Sequence, residues 1–224
     1  MRTVLVTGAN GLIGREFTRQ YAADGWRVFA TGIGMDSLAG LCAEYPAIAA
    51  LEMDVTDFAR VEEVAAQIDE PLDLVISNAG YYVDLLKRFG GTDYDAFRRM
   101  VEINTVGPLH LAETFAPLVE RSLWKKMVFI SARQGSISLN VTGGAYGYRA
   151  SKAALNACIK SMSIDLLHRG IAVLALHPGY VSDTDELAPL TGAESVRHMR
   201  SVIRRYNLHE TGSFLMFNDN PLPW

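Results

Sequence analysis

Short apolar runs alternate with amphipathic segments along the whole chain, and this alternation constrains the fold more than any other feature. Strand-like runs cover residues 3–8, 26–31, 47–54, 72–80, 126–131, 171–179 and 213–217. Several are continuous stretches of β-branched residues or leucine, which is typical of strands covered on both faces. Helical patterns lie between them, near residues 12–24, 36–45, 57–69, 92–121, 145–168 and 192–206. The sequence therefore predicts an α/β fold with a doubly wound, seven-stranded and mostly parallel sheet.

The composition limits the classes of function. We expect the 224 residues to form a single domain over 1–224, because no linker or repeat divides them. A net charge of −4 argues against nucleic acid as a partner, and no apolar run approaches the roughly 20 residues of a membrane helix. Cys42 and Cys158 lack the spacing of a disulfide framework or metal site, so we expect no metal and a cytoplasmic location.

A glycine-rich turn follows the first predicted strand. In "TGANGLIG", Gly8, Gly11 and Gly14 recur at every third residue, and a helical pattern begins immediately afterwards. Such a turn places backbone N–H groups at a helix N-terminus, where a pyrophosphate binds. The second strand ends in "FATGIGMD", which has neither an acidic residue nor an arginine at the place that separates NAD from NADP. Asp36 comes a few residues later and is more typical of a helix N-cap. The sequence therefore does not choose between NAD and NADP as the cofactor.

The stretch "AYGYRASKAALN", residues 145–156, carries two tyrosines before one lysine. Residues four apart lie on one face of a helix, which pairs Tyr148 with Lys152 and leaves Tyr146 out. A phenol with a pKa near 10 transfers protons poorly at neutral pH, and a neighbouring ammonium favours the phenolate. We therefore expect Lys152 to lower the pKa of Tyr148 and Tyr148 to act as an acid/base.

The chain resembles the short-chain dehydrogenase/reductase family over nearly its full length. The resemblance rests on "TGANGLIG", "DVTD" (54–57), "NAG" (78–80), "NTVGP" (104–108), "YRASK" (148–152) and "HPGYV" (177–181). The branch it resembles contains the C-factor and sniffer-type carbonyl reductases. It implies a Rossmann-like domain, hydride transfer between a nicotinamide cofactor and a carbonyl or alcohol, and a homodimer or homotetramer.

The resemblance also implies roles for individual residues. Tyr148 would be the acid/base, Lys152 would hold the nicotinamide ribose, and Asn104 would support a proton-relay water. The alternative for Asn104 is a helix-packing amide, and for Asp54 a turn residue. The implied cofactor-binding residues are Gly8, Asn10, Gly11, Leu12, Ile13, Gly14, Asp54, Val55, Asn78, Ala79, Gly80, Tyr148, Lys152, Pro178, Gly179 and Val181.

One position departs from the family pattern. The family has a serine after the fifth strand that hydrogen-bonds the substrate oxygen, and here that position is Ala132, in "FISARQGSISLN". Ser131 should point to the opposite face of the strand, unless a bulge turns it inward and makes it the catalytic serine. Ser136 or Ser138 in the following loop are the other candidate replacements. Loss of one such donor typically lowers kcat by about 10²–10³.

Three functions therefore remain open. The leading one is an oxidoreductase for a carbonyl/alcohol pair. The second is a weakly catalytic, cofactor-binding sensor or signalling protein, and Ala132 at the serine position favours it. The third, an epimerase-like enzyme, rests only on the spacing Gly8-x-x-Gly11-x-x-Gly14, which resembles that of the extended, epimerase-like members of the family. After the sixth strand, Asp183 stands where the family has a threonine that contacts the cofactor amide, with Thr184 as its alternative.

Overall fold

The computed structural model describes residues 1–83 and 88–224, and at its centre lies one sheet of seven strands. The strands are β1 (Thr3–Thr7), β2 (Arg27–Gly32), β3 (Ile48–Glu52), β4 (Leu74–Ser77), β5 (Lys126–Ile130), β6 (Ala172–His177) and β7 (Ser213–Met216). Every pairing between them is parallel, so the predicted sheet is confirmed. Except for β2, each strand is somewhat shorter than its apolar run, because the last residues of several runs belong to the loops that build the site.

The helices cover both faces of this sheet. They are α1 (Leu12–Ala23), α2 (Ala39–Glu44), α3 (Phe58–Ala66), α4 (Tyr94–Val101), α5 (Gly107–Glu120), α6 (Tyr146–Asp165) and α7 (Gly192–Arg205). In β1, Val4 and Val6 belong to one buried layer with Phe17 of α1, while Leu5 belongs to the other with Phe115 of α5. Burial on both faces explains why the strands read as continuous apolar runs.

The strand order is β3-β2-β1-β4-β5-β6-β7. The chain runs outward from β1 through β2 to β3 and then returns to β4 on the other side of β1. The order therefore reverses between β1 and β4, and the loops after these two strands diverge. A crevice opens there at the carboxyl ends of the strands, which is where doubly wound sheets bind ligands.

The helix predicted over residues 92–121 is divided into three parts, which is a correction to the sequence-based prediction. A π-helical segment, Glu102–Val106, joins α4 to α5. The physical reason is Pro108 in the first turn of α5, since proline has no N–H to donate to the carbonyl four residues earlier. That carbonyl belongs to Asn104. Such π-bulges are frequent at functional sites.

Within the two described ranges, no helix combines the length and the apolar content needed to cross a membrane.

Candidate active site

The glycine turn after β1 packs too tightly for side chains. Gly8 has a φ of +63°, and a Cβ atom there would lie 2.8 Å from Cα of Ala79. A Cβ at Gly14 would lie 2.1 Å from the carbonyl oxygen of Gly8. Gly11 caps α1 without a side chain, so no side chain satisfies the first N–H groups of this helix. The turn therefore presents bare backbone to the crevice, as an anion-binding helix N-terminus requires.

Thr7 and Asn78 fasten this turn to the end of β4. The Asn78 Nδ2 donates to the carbonyl oxygens of Thr7 at 2.9 Å and Gly8 at 3.2 Å. The Thr7 hydroxyl accepts from the backbone N–H groups of Asn78 and Ala79, both at 3.0 Å. Sequence reasoning missed Thr7, because a threonine at a strand end has no distinctive pattern. Asn78 was expected to line the cofactor's sugar, and its amide also holds the glycine turn in shape.

A cavity of about 560 Å³ fills the crevice between β1 and β4. Most of the predicted cofactor-binding residues line it, namely Gly8, Asn10, Gly11, Leu12, Ile13, Asp54, Val55, Asn78, Ala79, Gly80 and Val181. Six further lining residues were not predicted: Gly32, Ile33, Met53, Tyr81, Arg99 and Ile103. Gly14, Tyr148, Lys152, Pro178 and Gly179 lie outside this lining. Arg99 belongs to α4, whose sequence carries no signal for a site.

Asp54 lines the cavity and also has the role of the turn residue that was the alternative to a cofactor contact. Its Oδ1 accepts from the backbone N–H of Thr56 at 2.9 Å and from the Thr56 hydroxyl at 2.8 Å.

The expected N-cap role of Asp36 is wrong. Asp36 lies inside a 3₁₀ turn, Met35–Leu38, and the residue at the cap of α2 is Leu38. The N–H groups at the start of that turn bond instead to the carboxylate of Glu52, at 2.9 Å for Gly34.

Tyr148 and Lys152 lie on one face of α6, next to the cavity. The Lys152 Nζ is 5.9 Å from the centre of the Tyr148 ring and donates to the carbonyl oxygen of Ile130 at 2.9 Å. A Cβ atom at Gly80, which lines the cavity, would lie 3.9 Å from this Nζ. Tyr146, two residues before Tyr148 and therefore on another side of the helix, is 42% exposed. The spacing argument from the sequence thus selected the tyrosine that shares a face with the lysine.

The electrostatics of this pair differ from the sequence-based expectation. Burial raises the pKa of Tyr148 to about 12, and the edge of Tyr82, with ring centroids 4.9 Å apart, adds a smaller rise. Burial also lowers the pKa of Lys152 to about 8. The expected lowering of the Tyr148 pKa by Lys152 is therefore wrong in this structure. The reason is that desolvation of the phenol outweighs an ammonium that donates to a backbone carbonyl rather than to the phenol.

Asn104 connects three parts of the site. It lies in the π-helical segment and is 1% exposed. Its side chain accepts from the N–H of Tyr81 at 2.7 Å and donates to the carbonyl of the same residue at 2.9 Å. Its Nδ2 also donates to the Ser151 hydroxyl at 3.0 Å. The amide thus ties the loop after β4 to the helix that carries Tyr148 and Lys152.

The serine candidates are all engaged elsewhere. Ser131 is buried, and its hydroxyl donates to Oδ1 of Asn156 at 2.6 Å. Its N–H continues the ladder to β6 by donating to the carbonyl of Leu176 at 2.9 Å, and the next residue, Ala132, is extended with φ −140° and ψ 146°. The hydroxyls of Ser136 and Ser138 donate to the carbonyl of Trp224 at 3.2 and 3.3 Å. The structure therefore brings none of the three expected replacements to the cavity as a free donor.

The loop after β6 lies at the far side of the cavity. Pro178 accepts from the Ser195 hydroxyl at 2.7 Å, and Gly179 has a φ of +90° with Leu190 and Phe217 packed against it. Asp183 accepts from the backbone N–H of Gly192 at 2.7 Å, at the start of α7. Thr184 lies within hydrogen-bonding distance of Ser182, with the two hydroxyl oxygens 3.4 Å apart. Asp183 thus fixes the loop to the start of α7.

No group of three or more His, Cys, Asp or Glu residues in the described part of the chain is arranged to hold a metal ion.

Comparison with known proteins agrees with this geometry. A family model described as short chain dehydrogenase matches residues 2–194. The chain is 38% identical to C-signal of Myxococcus xanthus over 157 residues, which are 69% of this chain and 93% of the relative. Among solved structures, it is similar to the carbonyl reductase Sniffer of D. melanogaster, with a TM-score of 0.93, 28% identity and full coverage of both chains. It is also similar to an NADPH-bound carbonyl reductase from chicken fatty liver, with a TM-score of 0.92, 28% identity and coverage of 100% and 94%. These similarities confirm the resemblance inferred from the motifs.

Proposed function

The chain belongs to the short-chain dehydrogenase/reductase family, and on that premise we propose that it interconverts a carbonyl compound and its alcohol with NAD or NADP. The observation that carries the proposal is the placement of Tyr148 and Lys152 on one face of α6, beside a cavity built on bare glycine backbone. A nucleotide cavity alone is compatible with many functions. A proton-transfer pair beside that cavity is what an oxidoreductase of this family needs.

The residues of the cavity fit a nicotinamide dinucleotide. Gly8 and Gly14 keep side chains out of the turn, so a pyrophosphate can approach the N–H groups of Leu12 and Ile13 at the start of α1. Asp54 and Val55 would hold the adenine, and residues 78–80 would line the sugars. Arg99, whose guanidinium carbon lies 5.2 Å from the centre of the Tyr81 ring, adds a positive charge to the lining.

A bound nicotinamide supplies or accepts the hydride, and the protein handles the proton. With a pKa of about 12, Tyr148 is protonated at neutral pH and is ready to donate its proton to a carbonyl oxygen. Lys152, with a pKa of about 8, is mainly cationic at neutral pH and stabilises the phenolate left behind. Asn104 acts as a positioning residue, because it bonds both to Tyr81 in the loop after β4 and to Ser151, the residue before Lys152.

The test is steady-state oxidation of NADPH and NADH with a panel of carbonyl substrates, for the wild type and two tyrosine variants. Tyr148→Phe should lower kcat by about 10²–10⁴, the usual contribution of a positioned acid/base. Tyr146→Phe is the matched control, because it removes a hydroxyl from the same helix on a 42% exposed side chain. Turnover by Tyr148→Phe at the wild-type rate would contradict the proposal.

A second candidate is a dinucleotide-binding protein with weak turnover, and Ala132 is the observation that favours it. This residue leaves the site without the family's serine, and Ser131, Ser136 and Ser138 are bonded elsewhere. Under this alternative, the cofactor binds normally while every carbonyl in the panel reacts at a rate close to that of Tyr148→Phe. The two candidates therefore predict the same cofactor titration. They differ in the effect of Tyr148→Phe on kcat, which is large for the oxidoreductase and small for the weakly catalytic protein.

We also propose that the chain acts as one unit over residues 1–224 in the cytoplasm and self-associates through α5 and α6. An outward groove of about 550 Å³ lies between these helices, floored by alanines such as Ala112, Ala116 and Ala157. Small residues allow a second copy to approach closely, and family members commonly pair these helices. Ala157→Glu should convert a dimer or tetramer into a smaller species in light scattering, whereas Ala43→Glu on exposed α2 should not. Identical masses for both variants would contradict this surface.

A further inference from the structure

A second cavity, of about 440 Å³, lies at the opposite edge of the sheet, where the strands begin. Arg2 precedes β1, Trp26 precedes β2 and Trp124 comes two residues before β5. The end of α1 supplies Tyr21 and Asp24, and α7 supplies one helix face. None of these residues takes part in the site at the carboxyl ends of the strands, and the two cavities share no lining residue.

This cavity carries a concentration of positive charge in a chain whose net charge is −4. Arg197, Arg200 and Arg204 share one face of α7, since residues three and four apart on a helix are neighbours. Arg200 forms an ion pair with Asp24, which is the carboxylate in the lining. Over residues 1–83 and 88–224, neither Arg197 nor Arg204 makes an ion pair. Like charges this close destabilise a helix unless an anion compensates them.

Buried hydrogen-bonding groups line the same cavity without partners. Tyr21 is 2% exposed, and its hydroxyl lies near the Arg200 guanidinium but has no acceptor for its own proton within the described chain. The Arg200 guanidinium lies over this ring, 4.4 Å from its centre, and its buried Nε is also unpartnered. Native proteins satisfy nearly all such groups, so each one left over calls for an explanation. A ligand that accepts hydrogen bonds would satisfy both.

The aromatic rings around the cavity are already covered, which limits the class of ligand. The Arg2 guanidinium carbon lies 4.7 Å from the Trp124 ring centre and 5.5 Å from that of Trp26. The Lys126 Nζ lies 3.9 Å from the Trp124 ring centre and donates to the carbonyl of Ile203 at 2.7 Å. These cations leave little ring surface for stacking a base, but they add to the positive charge. The cavity is therefore suited to the anionic group of a ligand rather than to a planar one.

We propose that this cavity, lined by Arg2, Arg197, Arg200 and Arg204 and by the buried hydroxyl of Tyr21, binds a small anion of the di- or triphosphate class. Arginine forks bind phosphate oxygens in pairs and with defined geometry, which favours phosphate over other anions. A polyphosphate also carries enough charge to compensate several arginines at once.

The test is calorimetric titration with inorganic tripolyphosphate at constant ionic strength, for the wild type and three variants. The double variant Arg197→Ala/Arg204→Ala removes two exposed arginines that have no ion pair in the described chain, so it should fold. Affinity should fall at least about tenfold in this variant, because the anion loses charge-assisted hydrogen bonds from two arginines. Arg98→Ala, an exposed arginine on α4, is the matched control and should bind like the wild type. Trp26 and Trp124 should report the binding through a change in fluorescence.

Tyr21→Phe is the third variant, and it keeps the buried ring while removing the unpartnered hydroxyl. It should weaken tripolyphosphate binding several-fold without lowering the Tm, which separates ligand recognition from a structural role. Three results would overturn the proposal: no saturable binding to the wild type, equal affinity of the wild type and the double variant, or equal binding of citrate. Equal affinity would place the anion elsewhere, including the pyrophosphate site at Gly11.

Discussion

Restoring the family's serine should raise the catalytic rate of this protein, and the substitution is Ala132→Ser. Ala132 follows β5 and is 8% exposed, with an extended backbone that any residue can adopt. It comes two residues after Ile130, whose carbonyl accepts from Lys152. Because side chains alternate along a strand, position 132 points away from the Asn156 side, where the hydroxyl of Ser131 is bonded.

The expected gain follows from what such a donor contributes. One preorganised donor to a developing oxyanion is worth about 10²–10³ in kcat, or roughly 3–4 kcal/mol. The new hydroxyl has a cost in the free protein, since a buried hydroxyl without a partner destabilises by about 1–3 kcal/mol. The account therefore predicts a large rise in kcat together with an unchanged or lower Tm. A gain in both quantities would indicate better packing instead.

The assay is steady-state carbonyl reduction by the wild type, Ala132→Ser and Ser131→Ala, with kcat and KM determined separately. Ser131→Ala should retain the wild-type kcat, because its hydroxyl proton already belongs to Asn156. Two results together would refute the reasoning: no rise in kcat for Ala132→Ser and a large loss for Ser131→Ala. They would mean that Ser131 turns toward the substrate during catalysis.

Three other outcomes can be measured on single variants. Gly14→Ala should abolish tight cofactor binding in a calorimetric titration, because its Cβ would lie 2.1 Å from the Gly8 carbonyl oxygen. Gly40→Ala is the control that should bind the cofactor normally, because a Cβ there would have no atom within 4 Å. The kcat for carbonyl reduction should fall as the pH rises through about 8, where Lys152 loses its charge, and Lys152→Met should lack this decline. Asn104→Ala should cost about 1–3 kcal/mol in urea unfolding, because it leaves the Tyr81 N–H and C=O unpaired, and it should also lower kcat. A pH profile without that decline would contradict the role of the Lys152 charge in kcat. An Asn104→Ala variant of wild-type stability would contradict the contribution of the Asn104 hydrogen bonds to folding.

The fold was predictable because its signals are local. A strand buried on both faces must be apolar throughout, and an amphipathic helix must follow each one, so the alternation alone specified a parallel, doubly wound sheet. The pairing of Tyr148 with Lys152 was predictable for the same reason, since helical periodicity fixes which residues share a face. Both inferences need only neighbouring residues in the chain.

The missed features depend on contacts between distant segments. The Thr7 hydroxyl can accept from Asn78 only because β4 lies beside β1. The hydroxyl of Ser136 donates to the carbonyl of Trp224, which lies far away in the sequence. The π-helical segment had a local cause in Pro108, but a proline in the first turn of a helix is ordinary and gave no warning. The rise in the Tyr148 pKa is a result of burial, which spacing along a helix does not reveal.

The central claim is that the crevice between β1 and β4 holds a nicotinamide dinucleotide next to Tyr148. Calorimetric titration of the purified wild-type protein with NADPH and, separately, with NADH tests it most directly. The account predicts saturable binding of at least one of them, with one site per chain. Binding of neither would contradict it, because both the reductase and the weakly catalytic alternative need this site to be occupied.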